Sequence, residues 1–298
     1  MCDGANTRPG FLLLAVVACA LGIASARWDG VPLQASLAAV TLVLALLAHA
    51  AVNVYNDVAD ADNGSDAMNV GRIAPFTGGS RVIQDGDLSV VQMQWLAGGL
   101  AALALAGGLA LVAVRGPGLI CIGLAGALLG WSYSHPGIAL MGRGLGEPTV
   151  IGAWTLVVIG ADFVQRGDFA ATPLYAGLGL SLLAASILLI NQVPDMAADA
   201  ACGKRTLSVL LGPRVACRVY AGLLALAYLW LLASVMLERL PLAALSACGA
   251  LPLGLLGWRV FAKHVADGQT RLLPALQASV GHALSYGVLL SVGLLYAA

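Results

Sequence analysis

The 298-residue chain is 60% apolar and 10% charged, against about 45–50% apolar and about 25% charged in soluble domains. A soluble fold of this composition would hold a large apolar surface against water, whereas lipid accepts such a surface, so the chain belongs in a bilayer. Fifteen Lys and Arg balance fifteen Asp and Glu for a net charge of zero, which excludes a strongly basic nucleic-acid binder.

The first element follows Arg8 and runs through the apolar stretch 11–24. Ala24-Ser25-Ala26 resembles a signal-peptidase site, and Val16-Val17-Ala18-Cys19 loosely resembles a lipoprotein signal. A retained first transmembrane helix is the favoured reading, because the topology works with it in place. Spanning helices need about 20 apolar residues, and the stretches that qualify are 10–26, 33–57, 91–114, 117–134, 146–161, 173–194, 215–237, 240–262 and 273–297. The predicted fold is therefore all-α, a single polytopic bundle of nine spans over residues 1–298, with the fifth span the shortest. The 37 glycines, including Gly98-Gly99 and Gly107-Gly108, suit close helix packing in lipid.

The loops fix an orientation. With the N-terminus cytoplasmic, eleven of the fifteen basic residues lie on or adjoin the inner side, and only Arg27, Arg115, Arg166 and Arg239 fall in outer connections. That distribution obeys the positive-inside rule. The six cysteines show no CxxC or Cys/His spacing and read as small apolar residues or reduced thiols. His49, His135, His264 and His282 share no ligand spacing. His49 lies one turn before Asn53, within reach of the site but also readable as a packed polar residue. His135-Pro136 reads as a turn.

Two inner loops are far more polar than the rest, at 53–88 and 191–214. The first opens Asn53-Val-Tyr-Asn56-Asp57-Val-Ala-Asp60 and continues to Gly64-Ser-Asp66; the second reads Asn191-Gln192-Val-Pro194-Asp195-Met-Ala-Ala-Asp199 and then Gly203-Lys204-Arg205-Thr206-Leu207. On a helix, residues three and four apart share a face. Asp57 thus pairs with Asp60, Asp195 with Asp199, and Asn53 and Asn191 each sit one turn deeper. The Asn/Asp registers align at an offset of about 138 residues, which suggests a four-helix pseudo-repeat with halves at about 10–135 and 146–298.

Such carboxylate clusters at a membrane boundary repel one another unless a cation neutralises them. Mg²⁺ favours oxygen ligands, commonly one or two carboxylates completed by substrate phosphates. Two facing pairs suit Mg²⁺ ions bridging to a diphosphate, with Arg72, Arg81, Lys204 and Arg205 close enough in sequence to take the remaining phosphate oxygens. A diphosphate neutralised in this way becomes a leaving group, an allylic carbon attached to it ionises, and an electron-rich ring attacks while the isoprenoid tail stays in lipid. Asp62 is out of phase with Asp60 and reads as solvated, and Asp85 and Asp87 read as turn or capping residues before Leu88.

Asn56-Asp57-x-x-Asp60-x-x-x-Gly64-x-Asp66 and Asn191-x-x-x-Asp195-x-x-x-Asp199-x-x-x-Gly203-Lys204-Arg205-Thr206-Leu207 resemble the two aspartate motifs of the UbiA superfamily of membrane prenyltransferases. The resemblance extends over most of the chain, including Tyr133-Ser134 and Gly144-Leu145-Gly146-Glu147. Arg72-Ile-Ala-Pro75 and Gly78-Gly79-Ser80 are similar to the branch that prenylates 1,4-dihydroxy-2-naphthoate in menaquinone synthesis.

The resemblance implies that Asp57, Asp60, Asp195 and Asp199 are catalytic and bind diphosphate through Mg²⁺, with Asp66 a further metal ligand. Asn53, Asn56 and Asn191 would orient the carboxylates or the substrate, and Arg72, Lys204 and Arg205 would grip phosphate. Tyr133 and Glu147 would line the acceptor side; equally, they read as an interfacial tyrosine and a first-turn glutamate facing a helix dipole. Pro194 and Arg81 depart from the naphthoate pattern and leave another aromatic acceptor, such as 4-hydroxybenzoate, open. The implied partners are a polyprenyl diphosphate, an aromatic acceptor and membrane lipid, and the implied location is a bacterial inner membrane with the site facing the cytoplasm. A cation-coupled transporter and a non-catalytic quinone-precursor binder are the competing classes; transporter acids cluster nearer the midplane. Oligomeric state is not legible.

Overall fold

A bilayer offers no water to main-chain amides, so a spanning segment must satisfy them internally. In the computed structural model, which describes residues 9–265 and 269–298, this is done with helices, and no strand occurs among the described residues. The α-helices in chain order are α1 (Pro9–Trp28), α2 (Ala35–Asp62), α3 (Ser65–Met68), α4 (Val90–Arg115), α5 (Gly118–Ser134), α6 (Gly146–Arg166), α7 (Thr172–Ala201), α8 (Leu207–Leu211), α9 (Pro213–Met236), α10 (Leu251–His264) and α11 (Leu273–Ala297).

Among the described residues, eight stretches are long and apolar enough to cross a membrane, and the 17-residue α5 is a shorter apolar helix. The short member of the expected nine is therefore the fourth and not the fifth. The fifth, α6, runs on to Arg166 because its late charges are satisfied within the bundle. Asp162 accepts from Arg166 at 3.0 Å and from the Ser25 hydroxyl of α1 at 3.0 Å. The eighth stretch is split into a 3₁₀ segment, Leu242–Ala250, followed by α10. Pro252 stands in the first turn of α10, where its missing N–H costs nothing and its fixed φ favours a new helix start.

The interior is unevenly distributed. Helix α7 is the central post, with 78% of its span buried, against 11% for α2 and for α4. The main apolar cluster joins α1, α7, α9 and α11 through Leu21, Leu180, Leu183, Tyr220, Leu276 and Leu290. None of its described members comes from α2, α4 or α5. Small residues allow the tightest approaches: a Cβ on Gly22 of α1 would stand 2.3 Å from the Val158 carbonyl oxygen of α6. Trp95, Leu124, Leu128 and Leu229 are exposed, as side chains facing hydrocarbon would be.

Both ends of the bundle are tied by polar contacts. At one end Arg166 pairs with Asp29 at 2.5 Å, Arg115 donates to the Gln165 carbonyl, and the Gln165 carboxamide accepts from the Gln34 amide at 2.8 Å. These are the connections expected to face outward. The helix ends that carry the two aspartate motifs meet at the opposite end.

Candidate active site at the converging helix ends

Helices α2 and α7 both continue through their aspartate motifs and stop only at Asp62 and Ala201. The carboxylates expected on shared faces are therefore carried on regular helix. Asp57, Asp60, Asp66 and Asp199 are buried and Asp195 is half-buried, while Asp62 is exposed, as its phase suggested.

The loop after α3 joins the two motifs. Within three consecutive residues, the Gly78 amide donates to Asp195 Oδ2 at 3.2 Å and the Ser80 amide makes long, 3.4 Å contacts to both oxygens of Asp57. Two residues of chain span at most about 7 Å, so the leading aspartates of the two motifs lie on opposite sides of one short stretch of backbone. Asn69 adds a 2.6 Å bond from Nδ2 to Asp195 Oδ1. The two glycines are required here. Gly78 and Gly79 have φ of +71° and +67°, and a Cβ on Gly79 would lie 2.1 Å from Asp66 Oδ2.

The second crossing is ionic. Lys204 Nζ bonds to Asp60 Oδ1, donates to Ser65 Oγ at 3.0 Å and stands 3.6 Å from Asp199 Oδ1. Burial alone would drive this ammonium toward neutrality, but the charges of Asp60 and Asp199 more than offset it, and its pKa lies above the ordinary lysine value. Arg205, exposed, and Arg72, half-buried, present guanidinium groups with no hydrogen-bond or ion-pair partner among the described residues. Arg81 instead donates to the Asp66 carbonyl at 3.1 Å and pairs with Asp85 at 3.4 Å. It does so from φ +64°, a backbone angle that favours small residues and accounts for its unusual look in sequence.

The amides extend this surface inward. Asn53 bonds His49 Nε2 at 3.1 Å, so the histidine does continue the motif face one turn deeper. Asn56 Nδ2 donates to Ser134 Oγ at 3.0 Å, which brings Tyr133 and the end of α5 beside the first motif. Asn191 is buried, and its Oδ1 has no partner among the described residues. Glu147, 3% exposed, accepts from Gln192 at 2.9 Å. Asp85 and Asp87 are exposed, and the cap of α4 is Ser89, in a reciprocal capping box with Gln92, and not either aspartate.

The donors collected here are carboxylate, amide and hydroxyl oxygens, a hard set suited to a divalent cation such as Mg²⁺. Among the described residues no three His, Cys, Asp or Glu side chains close into a cage, so the protein offers separated ligands that phosphate oxygens would complete. Asn69, Ser65, the Gly78 and Ser80 amides and Gln192 were not singled out from sequence. The Gly78-Gly79-Ser80 signature was the one available signal for two of them.

Buried acidic helix ends facing one another beside guanidinium groups, at one end of a polytopic bundle, mark an integral membrane protein with a strongly polar site of mixed charge at one end of its apolar bundle. A model of the UbiA prenyltransferase family matches residues 12–280, and the chain belongs to that family. It is accordingly a prenyltransferase, transferring alkyl or aryl groups other than methyl. It is 33% identical over 229 residues to the 1,4-dihydroxy-2-naphthoate octaprenyltransferase of Escherichia coli (strain K12), covering 74% of this chain and 71% of that protein. The Mycobacterium tuberculosis (strain ATCC 25618 / H37Rv) protein of the same name is 31% identical, covering 74% of each chain. The apo structure of a UbiA homolog from Aeropyrum pernix K1 superposes with a TM-score of 0.74 at 16% identity, covering 93% of this chain and 97% of the other. A UbiA homolog from Archaeoglobus fulgidus bound to DMAPP and Mg²⁺ gives 0.64 at 17% identity, covering 96% and 97%.

Proposed function

We propose that this protein transfers a polyprenyl group from a polyprenyl diphosphate to an aromatic quinone precursor, with 1,4-dihydroxy-2-naphthoate as the acceptor and menaquinone synthesis as its context. The observation that carries the diphosphate site is the joint tethering of Asp57 and Asp195 to the 78–80 backbone. It brings the leading carboxylates of both motifs to one short stretch of backbone, within reach of a single pyrophosphate head. The names of the relatives at 31% and 33% identity favour the naphthoate ring.

Asp57, Asp60, Asp66, Asp195 and Asp199 would hold Mg²⁺ against the diphosphate, as the Archaeoglobus homolog's bound ligands suggest by analogy. Bound Mg²⁺ would supply the charge neutralisation that lets pyrophosphate leave. Arg72 and Arg205 reach the outer phosphate oxygens with groups that have no competing partner. Lys204 adds a charge already held between Asp60 and Asp199. The C–O bond breaks to give an allylic cation and pyrophosphate departs toward the basic residues; the ring carbon attacks the cation to form the C–C bond and regains aromaticity by losing its own substituent, a proton or, at the carboxylated carbon, CO₂. Asn53, Asn56 and Asn191 line the inner wall of this space, with Tyr133 at its edge.

The main apolar cluster draws nothing from α2, α4 and α5 among the described residues, and that thinly packed sector beside lipid would accommodate the isoprenoid tail. We place the N-terminus and the site on the cytoplasmic side of a bacterial inner membrane, with α5 as the shortest of nine spans. The matched ends of α2 and α7, about 138 residues apart, support a pseudo-repeat within one domain. A transporter is disfavoured because these acids lie at helix ends beside basic residues.

The test is a panel of aromatic acceptors, 4-hydroxybenzoate included, incubated with one long-chain prenyl diphosphate and purified protein and read by mass spectrometry. Prenylated naphthoate and pyrophosphate should appear only with Mg²⁺ or a similar ion. Asp57→Asn and Asp195→Asn should each lower turnover by about 10²-fold or more, the scale of losing a group that stabilises transition-state charge, with unchanged melting. Absence of any prenylated ring would overturn the reading; product with 4-hydroxybenzoate alone would overturn the naphthoate assignment.

A further inference from the structure

Behind the second motif lies a buried chain of hydrogen bonds in which Gln192 and Ser208 have no role assigned above. Gln192 is 5% exposed. Its Nε2 donates to Glu147 Oε1 at 2.9 Å, and its Oε1 accepts from the Ser208 amide at 3.1 Å. The Ser208 hydroxyl in turn donates to the Leu189 carbonyl at 3.0 Å. The first turn of α8 is thus bound to α7 twice, and α6 enters through Glu147.

The polarity of this chain starts at the Ser208 main-chain amide, which can only donate. It turns Gln192 Oε1 toward α8 and so points Nε2 at Glu147 Oε1, which holds the other end of the carboxamide. Lys204 and Arg205 lie in the short segment between the end of α7 at Ala201 and the start of α8 at Leu207. That segment is held at its near side by the Lys204 amide on the Asp199 carbonyl at 2.8 Å, and by the Arg205 amide on the Gly142 carbonyl at 2.8 Å. Its far side is held through Ser208, by the bond from its amide to Gln192 and the bond from its hydroxyl to the Leu189 carbonyl.

We propose that Gln192 is a positioning residue: held by Glu147, it anchors α8 and so fixes Lys204 and Arg205 where they meet the prenyl diphosphate. This rests on the diphosphate-binding reading above. It moves Glu147 from the acceptor wall to the support of the basic arm. The effect belongs on the prenyl diphosphate and not on the aromatic ring.

The experiment uses the full-length protein in detergent or nanodiscs. Gln192→Glu sets two buried carboxylates against each other. It should raise KM for the prenyl diphosphate, and weaken direct binding of a non-hydrolysable prenyl diphosphate analogue, by about tenfold or more, the equivalent of one lost hydrogen bond of about 1.4 kcal/mol. KM for the aromatic acceptor should stay put. Adding Glu147→Gln to Gln192→Glu swaps donor and acceptor across the same contact while a carboxylate oxygen still faces the Ser208 amide, and should restore most of the lost affinity. Gln192→Met, which removes both bonds without adding charge, gives the same selective KM shift should Gln192→Glu fail to fold. No rescue by the swap, with Gln192→Met leaving prenyl diphosphate KM unchanged, would overturn the proposal. So would a rise confined to acceptor KM. Analogue binding is read without turnover, so a protein that binds the analogue but prenylates no ring fails the acceptor reading and still reports on Gln192.

Discussion

Lys204 has the most demanding position of any single residue at the site. Its ammonium contacts Asp60 on α2, Ser65 on α3 and Asp199 on α7, and with it removed two buried carboxylates face each other uncompensated. Lys204→Met should therefore lower stability by about 1.5–3 kcal/mol, the range for hydrogen bonds to charged groups, and also weaken prenyl diphosphate binding. The pH dependence follows from the raised pKa. A lysine whose folded value lies above its unfolded value of about 10.4 contributes fully below that value and loses the contribution as pH rises through the folded value. Thermal melts of wild type and Lys204→Met should differ at about pH 8 to 9 and converge on the alkaline side only above about pH 10.4; convergence already at about pH 8 to 9 would contradict the assignment. Gly79 is the opposite case, valued for what it lacks, since any side chain there would enter the Asp66 carboxylate.

At the scale of elements, α6 and α7 carry the argument. Helix α7 holds Pro194 in its interior, one residue before Asp195. Proline has no N–H, so the Ile190 carbonyl, directly before the buried Asn191, loses its usual helical partner. Helix α6 connects both ends of the bundle, with Glu147 beside the site and Asp162, 1% exposed, at the far end. Asp162 accepts from Arg166 and Ser25, and removing it takes two bonds from the Arg166 guanidinium, which keeps only Asp29, and one from the buried Ser25 hydroxyl. Asp162→Ala should cost about 3 kcal/mol of stability, as breaking a buried pair does, yet leave kcat per folded molecule intact, because the aspartate motifs sit at the other end. A fall in kcat without a fall in melting temperature would show the two ends to be coupled.

At the scale of the molecule, the contacts sort into two polar ends separated by an apolar bundle. One holds Arg72, Arg205 and the aspartates; the other holds Asp29, Arg115, Gln165 and Arg166. With the proposed orientation, and in a variant whose native cysteines are replaced, Asp168→Cys should react with an impermeant maleimide on intact cells. Asp87→Cys should react only after permeabilisation. Both positions are exposed, so silence from either is not a matter of burial. Labelling of Asp87→Cys from outside would invert the topology.

The sequence alone was enough for whatever depends on local repetition: an all-helical bilayer protein, the start of most of its long helices to within a few residues, and the pairing of Asp57 with Asp60 and of Asp195 with Asp199, which follows from one helical turn. It misjudged helix ends where a charge has a distant partner. The expected spans stop at 161 and 194, although the partners of Asp162 and Asp199 let these helices continue to Arg166 and Ala201. Only the tertiary structure decided which atoms hold those carboxylates. The bonds from Asn69 and Gly78 to Asp195 close across 126 and 117 residues, and the Glu147–Gln192 bond across 45. Contacts at such separations leave no periodic trace in the chain, because they arise from how whole helices pack and not from how one helix turns.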